Sequence, residues 1–244
     1  RDLHNNRREH SRRSVASEEL DESMVDRVSR IVAGAYDATN GGFGSEPKFP
    51  NASIIRFLNH LYRTSGEEFY ASMLTKTLDC MTNGQVLDTA DGGFFRHCAQ
   101  ADWGQPQHEK MLEDNLNLAK EFLDASILFD RSDYRETAKQ IFDYLLEQLY
   151  DSETPGFRGS QGAHSEYFDM SPDQRTQDTR PSPDPSCYAK WNGLAVTVLL
   201  DAAWKLGDPS LQTTGLAVLD GLDSMEQAGS FSHVYSEQGP ADVP

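Results

Sequence analysis

The stretch Asp91–Asn115, DGGFFRHCAQADWGQPQHEKMLEDN, decides how the rest of the chain is read. Glycines and a proline punctuate its first half, so that half reads as turns or a short hairpin. From His108 onward the pattern changes. Met111, Leu112, Leu116, Leu118, Ala119, Phe122 and Leu123 recur largely at helical spacing and predict a helix over about 108–129. Arg96, His97, Asp102, Trp103, His108, Glu109, Lys110, Asp114 and Asn115 therefore gather where a loop runs into a helix.

Working outward, the same alternation recurs. Ser17, followed by Glu18, Glu19 and Asp21, predicts a capped helix to about Asp37, with Leu20, Met24, Val28, Ile31, Val32 and Ala35 as its buried stripe. Gly41–Pro50, GGFGSEPKFP, cannot be helix. Helices follow over about 51–64 and 67–83, broken at Ser65-Gly66, and over about 132–150, with Tyr134, Ala138, Ile141, Phe142 and Leu145 inward. Residues 151–187 read as loop, helices resume over about 188–206 and 209–227, and Gly229–Pro244 reads as strand or loop. The unit is two helices and a glycine-aromatic loop, with Phe43, Phe94, Phe157 and Phe231 at intervals of 51, 63 and 74 residues. Helical pairs at such a period predict stacked or closed hairpins whose loops share one rim. A rim of loops on a rigid scaffold gathers side chains that are distant in sequence.

Composition narrows the function. The 244 residues carry a formal net charge of −17, while the first thirteen are basic and read, with the residues to 17, as a polar linker or tail before a domain over 18–244. An acidic body argues against nucleic acid and anionic membrane surfaces as partners. No apolar run is long enough for a membrane span and no signal-peptide core is present, which predicts a cytoplasmic protein. Cys80, Cys98 and Cys187 are scattered and form no CxxC, as expected of reduced thiols.

The motifs GGFGSEPKFP, then GGFFRH…DW…P-x-x-EKMLEDN, then RPSP…WNGLAV resemble, in this order, the helical domain of the thioredoxin-domain-containing spermatogenesis-associated protein 20 family, also known as domain-of-unknown-function family 255. The resemblance runs from about Gly41 to the C-terminus. It implies an all-α, (α/α)6 toroid like that of six-hairpin glycosidases and N-acylglucosamine 2-epimerases. About seven helices would make a partial ring with short β-hairpin loops on one rim. It also implies a thioredoxin-like domain with a CxxC as a partner, which this sequence does not contain. Three positions depart from the family pattern. Gln107 stands where a histidine is usual, with His108 one place later. His97 replaces a tyrosine, and Asp184-Pro185-Ser186-Cys187 replaces an acidic-acidic-lysine set.

Two kinds of sugar chemistry fit the rim residues. Glycoside hydrolysis needs two carboxylates, one with a raised pKa, and Glu46, Glu109, Asp114 and Glu166 are candidates. Epimerisation needs a base and an acid on opposite faces of a carbon, and His97 and His108 are candidates. Phe43, Phe49, Phe94, Trp103, Tyr167 and Trp191 have faces on which a sugar stacks, Glu109, Asp114, Asn115 and Asn192 have groups for hydroxyls, and Arg96 and Lys110 are further substrate-binding candidates. Glu46 and Lys48 read as a site carboxylate and a gate, or equally as a loop brace. Each of these residues also has a purely structural reading: aromatics closing the ring, and Glu109-Lys110 as helix-start charges in an ion pair. His97, His108, Glu109 and His164-Ser165-Glu166 lack ligand spacing, so neither metal nor cofactor is expected. Cys98 beside Arg96 and His97 is a weak nucleophile candidate. The alternative to an enzyme is a binding module coupled to a thioredoxin-like domain.

Overall fold

The computed structural model describes residues 22–153, 156–223, 226–227, 230–231, 233–236 and 239–241. The tail over 1–17 lies outside them. Helix α1 (Glu22–Ala35) forms one compact unit, and the chain from Tyr36 onward forms another. Val28 and Ile31, expected in the buried stripe of α1, are solvent-exposed.

The larger unit is built from three helical hairpins: α2 (Ala52–Ser65) with α3 (Glu68–Asn83), α4 (Leu112–Leu128) with α5 (Ser132–Tyr144), and α8 (Ala189–Leu206) with α9 (Pro209–Asp223). α4 packs on both α2 and α8, so α2, α4 and α8 form an inner row. The sequence explains this rank. Leu112, Leu116, Leu118, Ala119, Phe122, Leu123 and Ala125 of α4 are all buried, and a helix apolar on most sides must sit between others. The outer helix α5 buries one stripe, Tyr134, Ala138, Ile141 and Phe142, as the periodicity predicts. Gly66 and Gly207, both left-handed, end α2 and α8 by donating to the carbonyls of Tyr62 and Ala203.

Several boundaries differ from expectation: the helix expected to reach about 227 ends at Asp223, with Glu226–Gln227 in a strand, and three more differ. The helix predicted from 108 begins at Leu112, because β3 (Lys110–Met111) pairs with β6 (Ser160–Gln161) and holds the chain extended. α5 ends in a π-helical turn, Leu145–Leu149, that carries its last residues toward the next loop. The segment 151–187 holds two one-turn helices, α6 (Ser165–Phe168) and α7 (Pro172–Arg175), the latter with a Ser171–Gln174 capping box.

The remaining strands are two or three residues long. β1 (His97–Cys98) pairs with β2 (Pro106–Gln107), β4 (Tyr150–Asp151) with β5 (Gly156–Phe157), and β8 (Glu226–Gln227) with β9 (Ser230–Phe231). β10 (Val234–Ser236) lies between β7 (Cys187–Tyr188) and β11 (Gly239–Ala241). β1–β2, β3 and β7 all precede inner helices, so the short hairpins cluster at the N-terminal ends of α4 and α8.

Candidate functional site

The glycine-aromatic loops share one construction. Residues seven apart bridge: Tyr36 with Phe43, Leu87 with Phe94, and Tyr150 with Phe157. The residue after the first of each pair is an aspartate, Asp37, Asp88 or Asp151. Its Oδ1 accepts a backbone N–H two residues on, from Thr39, Ala90 or Glu153. Each aspartate then meets a cation: Asp37 with Lys48 at 2.6 Å, Asp88 with Lys110 at 2.8 Å, Asp151 with Arg158 at 2.6 Å. Two inner helices add an asparagine clamp. Asn115 accepts from the Phe94 N–H at 2.6 Å and donates to the Phe94 carbonyl at 3.0 Å; Asn192 does the same to Phe157 at 2.7 and 3.0 Å.

This construction accounts for many candidate residues. Lys48 is fully buried, donates also to the Ala101 carbonyl, and lies over the Trp103 ring, whose Nε1–H donates to the Asn40 carbonyl. Burial tends to raise Asp37, but Lys48 and the turn N–H groups hold it well below the usual carboxylate range. Lys110 is also fully buried, donates to the Gly92 carbonyl, and is boxed by the rings of Tyr144, Phe95 and Phe168. Burial pulls its pKa below the usual lysine range in spite of Asp88. Arg175 reaches from α7 to complete the cluster, at 2.8 Å from Asp88 and 3.1 Å from Asp91. Phe43, Phe94 and Trp103 are buried, and Glu46 accepts from the Ala101 N–H at 3.1 Å. Trp191 packs on Tyr188 at 4.3 Å between ring centroids. Glu166 is exposed on α6, while its neighbour Tyr167 is buried edge-on against Phe168.

The histidines lie apart. His108 packs between Phe95 and Phe168, where burial lowers its pKa although Asp169 stands 3.7 Å away. His97 stacks on Phe49 at 4.7 Å, its Nδ1 buried without a hydrogen-bond partner among the described residues. Cys98 is buried, and its thiol is pushed up to about 12, first by burial and then by Asp102, opposite to what a nucleophile needs.

A cleft of about 590 Å³ opens where the first turns of α2, α4 and α8 converge. Its polar lining includes Arg56, Arg96, Glu113, Asp114, Asn117 and Lys190, beside Phe49, Leu118 and Leu194. Of the predicted site residues outside the aromatic set, the cleft gathers Arg96 and Asp114. Glu113 is paired with Lys190 at 2.9 Å, and Glu109 with Arg96 at 2.6 Å. Arg56 donates to fully buried Glu121 and to Asn117. The Asp114 side chain makes no hydrogen bond or ion pair among the described residues. Burial, then the charge of Glu113, raises its pKa, while Arg96 opposes the rise. Sequence reasoning missed Arg56, Glu113, Asn117 and Lys190. Acids in a first helical turn are expected for the helix dipole alone, and Arg56 and Lys190 are each the only charge in the first two turns of a mostly apolar helix, with directions that emerge only on packing. Among the described residues there is no group of three or more His, Cys, Asp or Glu able to hold a metal, and no helix long and apolar enough to cross a membrane.

Three α/α hairpins with a cleft at the N-terminal ends of the inner helices place the chain in the (α/α)6 toroid class. Solved structures bear this out. Cellobiose 2-epimerase from Spirochaeta thermophila aligns with TM-score 0.68 and 13% identity, over 90% of this chain and 60% of that one. A D-mannose isomerase gives TM-score 0.67 and 9% identity over 91% and 57%. A family 76 mannosidase from Bacteroides thetaiotaomicron gives 0.58 and 14% over 73% and 45%. At these identities the likeness is one of fold. No family model matches the sequence. The chain is nevertheless homologous to spermatogenesis-associated protein 20: it is 32% identical to the human protein over 209 residues, 84% of this chain and 25% of that protein. It is 30% identical to the mouse protein over 161 residues, 60% of this chain and 20% of that one. The chain thus spans about a quarter or less of the relatives it matches.

Proposed function

We propose that this chain belongs to a carbohydrate-active enzyme, with acid/base chemistry on a sugar or sugar derivative bound in the cleft at the inner-helix N-termini. The observation that carries this reading is Asp114. A carboxyl left unpaired on the wall of a cleft, its pKa raised by burial and a neighbouring acid, holds a proton more readily than an ordinary carboxylate and is suited to act as a general acid or base. Phe49, about two-fifths exposed, offers a face for a sugar ring to stack on. Glu113 is a second carboxylate in the same cleft, and its partner Lys190 is so exposed that the pair is weak and exchangeable. The fold neighbours named above, a sugar epimerase, a sugar isomerase and a mannosidase, agree with a sugar ligand. Among these chemistries, carboxylates carry more weight than histidines here, since neither His97 nor His108 lines the cleft.

The second reading, a binding module that serves an attached thioredoxin-like domain, draws on the ion pairs that occupy Glu109, Glu113 and both buried lysines. One experiment separates the two. The protein and Asp114→Asn are screened for sugar-induced shifts in melting temperature, and binders are assayed for turnover. The enzyme reading expects turnover that Asp114→Asn abolishes while binding persists. Binding without turnover in either protein supports the module, and no binding by any sugar rejects the cleft as a sugar site.

A further inference from the structure

We infer that the cleft is specific for sugars carrying an anionic group, a carboxylate or a phosphate, held between the guanidinium groups of Arg56 and Arg96. This rests on the sugar-site reading above and adds the chemical class of the ligand.

The first observation is a local reversal of charge. The chain carries 22 Lys and Arg against 39 Asp and Glu. The cleft lining carries Arg56, Arg96 and Lys190 against Glu113 and Asp114. Three cations from three different elements, α2, the segment before β1, and α8, converge on one concavity of an acidic protein. Three cations to two anions runs against the acidic excess of the rest of the chain, so the cleft favours an anionic ligand relative to the surrounding surface.

The second observation is how the two arginines are held. Arg56 is fixed by Nε–H to Glu121 at 2.7 Å and by Nη2–H to Asn117 at 2.6 Å. Glu121 is itself fully buried and accepts from Asn59 at 2.9 Å. Arg96 is fixed by Nη1–H to Glu109 at 2.6 Å. The bracing carboxylates Glu109 and Glu121 are not among the residues lining the cleft. Both arginine side chains remain about half exposed, and Nη1 of Arg56 and Nη2 of Arg96 meet no protein acceptor among the described residues. A braced guanidinium with free N–H groups is pre-organised for a planar or tetrahedral oxyanion, since little side-chain entropy remains to be lost on binding. Lys190, the most exposed of the three, is a point charge able to leave Glu113 for the ligand. Asp114 and Phe49 share the cleft with these donors, so an anionic group anchored there leaves the sugar ring beside the carboxyl and the aromatic face.

The test is calorimetric titration of the protein with glucose, glucuronate, glucose 6-phosphate and inorganic phosphate, at low and moderate salt, repeated on Arg96→Gln and Lys190→Gln. Arg56→Gln is the less informative variant, because it strands Glu121 and endangers folding. The expected result is binding of glucuronate or glucose 6-phosphate at least ~10-fold tighter than glucose, weakening with salt, with most of that preference lost in Arg96→Gln. Glucuronate over glucose 6-phosphate identifies the carboxylate as the ligand group, and the reverse order identifies the phosphate. Equal binding of glucose and the charged sugars overturns the inference while leaving the sugar-site reading intact. Inorganic phosphate binding as tightly as glucose 6-phosphate also overturns it, as an adventitious ion only. No binding of any sugar by the folded protein overturns both.

Discussion

Two regions of the molecule hold carboxylates away from bulk water, Asp88 buried and Asp114 half-buried, and treat them in opposite ways. In the second aromatic loop, Asp88 is met by Lys110 and Arg175 and by the N–H of Ala90. Burial alone would raise its pKa, but these partners overcompensate and hold it low. In the cleft, on the first turn of α4, Asp114 has no such partner and its pKa is raised. Pairing marks a carboxylate that fixes backbone, since an unpaired charge there would oppose folding. Its absence is what the proposed role of Asp114 in the cleft requires, a local cost in stability of the kind functional sites commonly carry. The first and third loops repeat the paired arrangement, so Asp114 is the departure.

Breaking the anchor gives the largest expected effect. Lys110→Met leaves Asp88 buried with one cation and empties an aromatic box. It is expected to cost about 3–5 kcal/mol in urea unfolding, and a loss below about 1 kcal/mol would show that the loop is held by something else. Asn115→Ala strands a buried N–H and carbonyl of Phe94, for an expected loss of about 2–4 kcal/mol. Asn192→Ala is expected to match it, because the clamp on Phe157 has the same geometry.

The loops and helices were legible in the sequence because they rest on local rules. Gly92 and Gly93 take φ of 79° and 76°, where other residues are strained, and Tyr144 lies where a side chain at Gly93 would point. The 3.6-residue period found every long helix of the three hairpins. The start of α4 was misplaced because β3 is dictated by a partner fifty residues away, β6, which no local pattern reveals. The site was legible only in part for a related reason. Lys48, Lys110, Asn115 and Asn192 have the residue types of a polar site, yet their hydrogen bonds go to aspartates and backbone. Burial decides between the two uses, and burial depends on how α2, α4 and α8 pack. Glu113 and Asp114 look alike in sequence; only packing gives one a lysine and leaves the other alone.

pH sharpens the contrast, because the two aspartates act with opposite sign. Asp88, held low in the folded state, contributes stability above the ordinary aspartate pKa of about 3.9 that is lost as pH falls through its folded value. Asp88→Asn should therefore be destabilised at neutral pH and show a flatter acid limb. Asp114, raised in the folded state, acts in reverse. Its folded form binds a proton more tightly than its unfolded form, so stability is lost as pH rises from about 3.9 through the folded value. Asp114→Asn should melt higher than the parent at pH 7 and together with it near pH 3. Equal melting temperatures at both pH values would show that Asp114 is solvated, and would remove the main support for its role in proton transfer.

The smallest expected effect is at Glu109, which lies beside the anchor lysine in sequence but belongs to neither regime. Its partner Arg96 is half exposed, and Glu109 itself is about a quarter exposed. Solvent screens such a pair, and side-chain entropy offsets most of its Coulomb gain. Glu109→Gln is expected to change stability by less than about 1 kcal/mol in urea unfolding. Its informative effect is on Arg96, which loses the carboxylate that holds it and so becomes less pre-organised. If Arg96 serves an anionic ligand, Glu109→Gln should weaken glucuronate or glucose 6-phosphate more than glucose while leaving the unfolding midpoint nearly unchanged. A stability loss as large as that of Lys110→Met would instead make the Arg96–Glu109 pair a fourth anchor and place the boundary between scaffold and cleft deeper than Asp114.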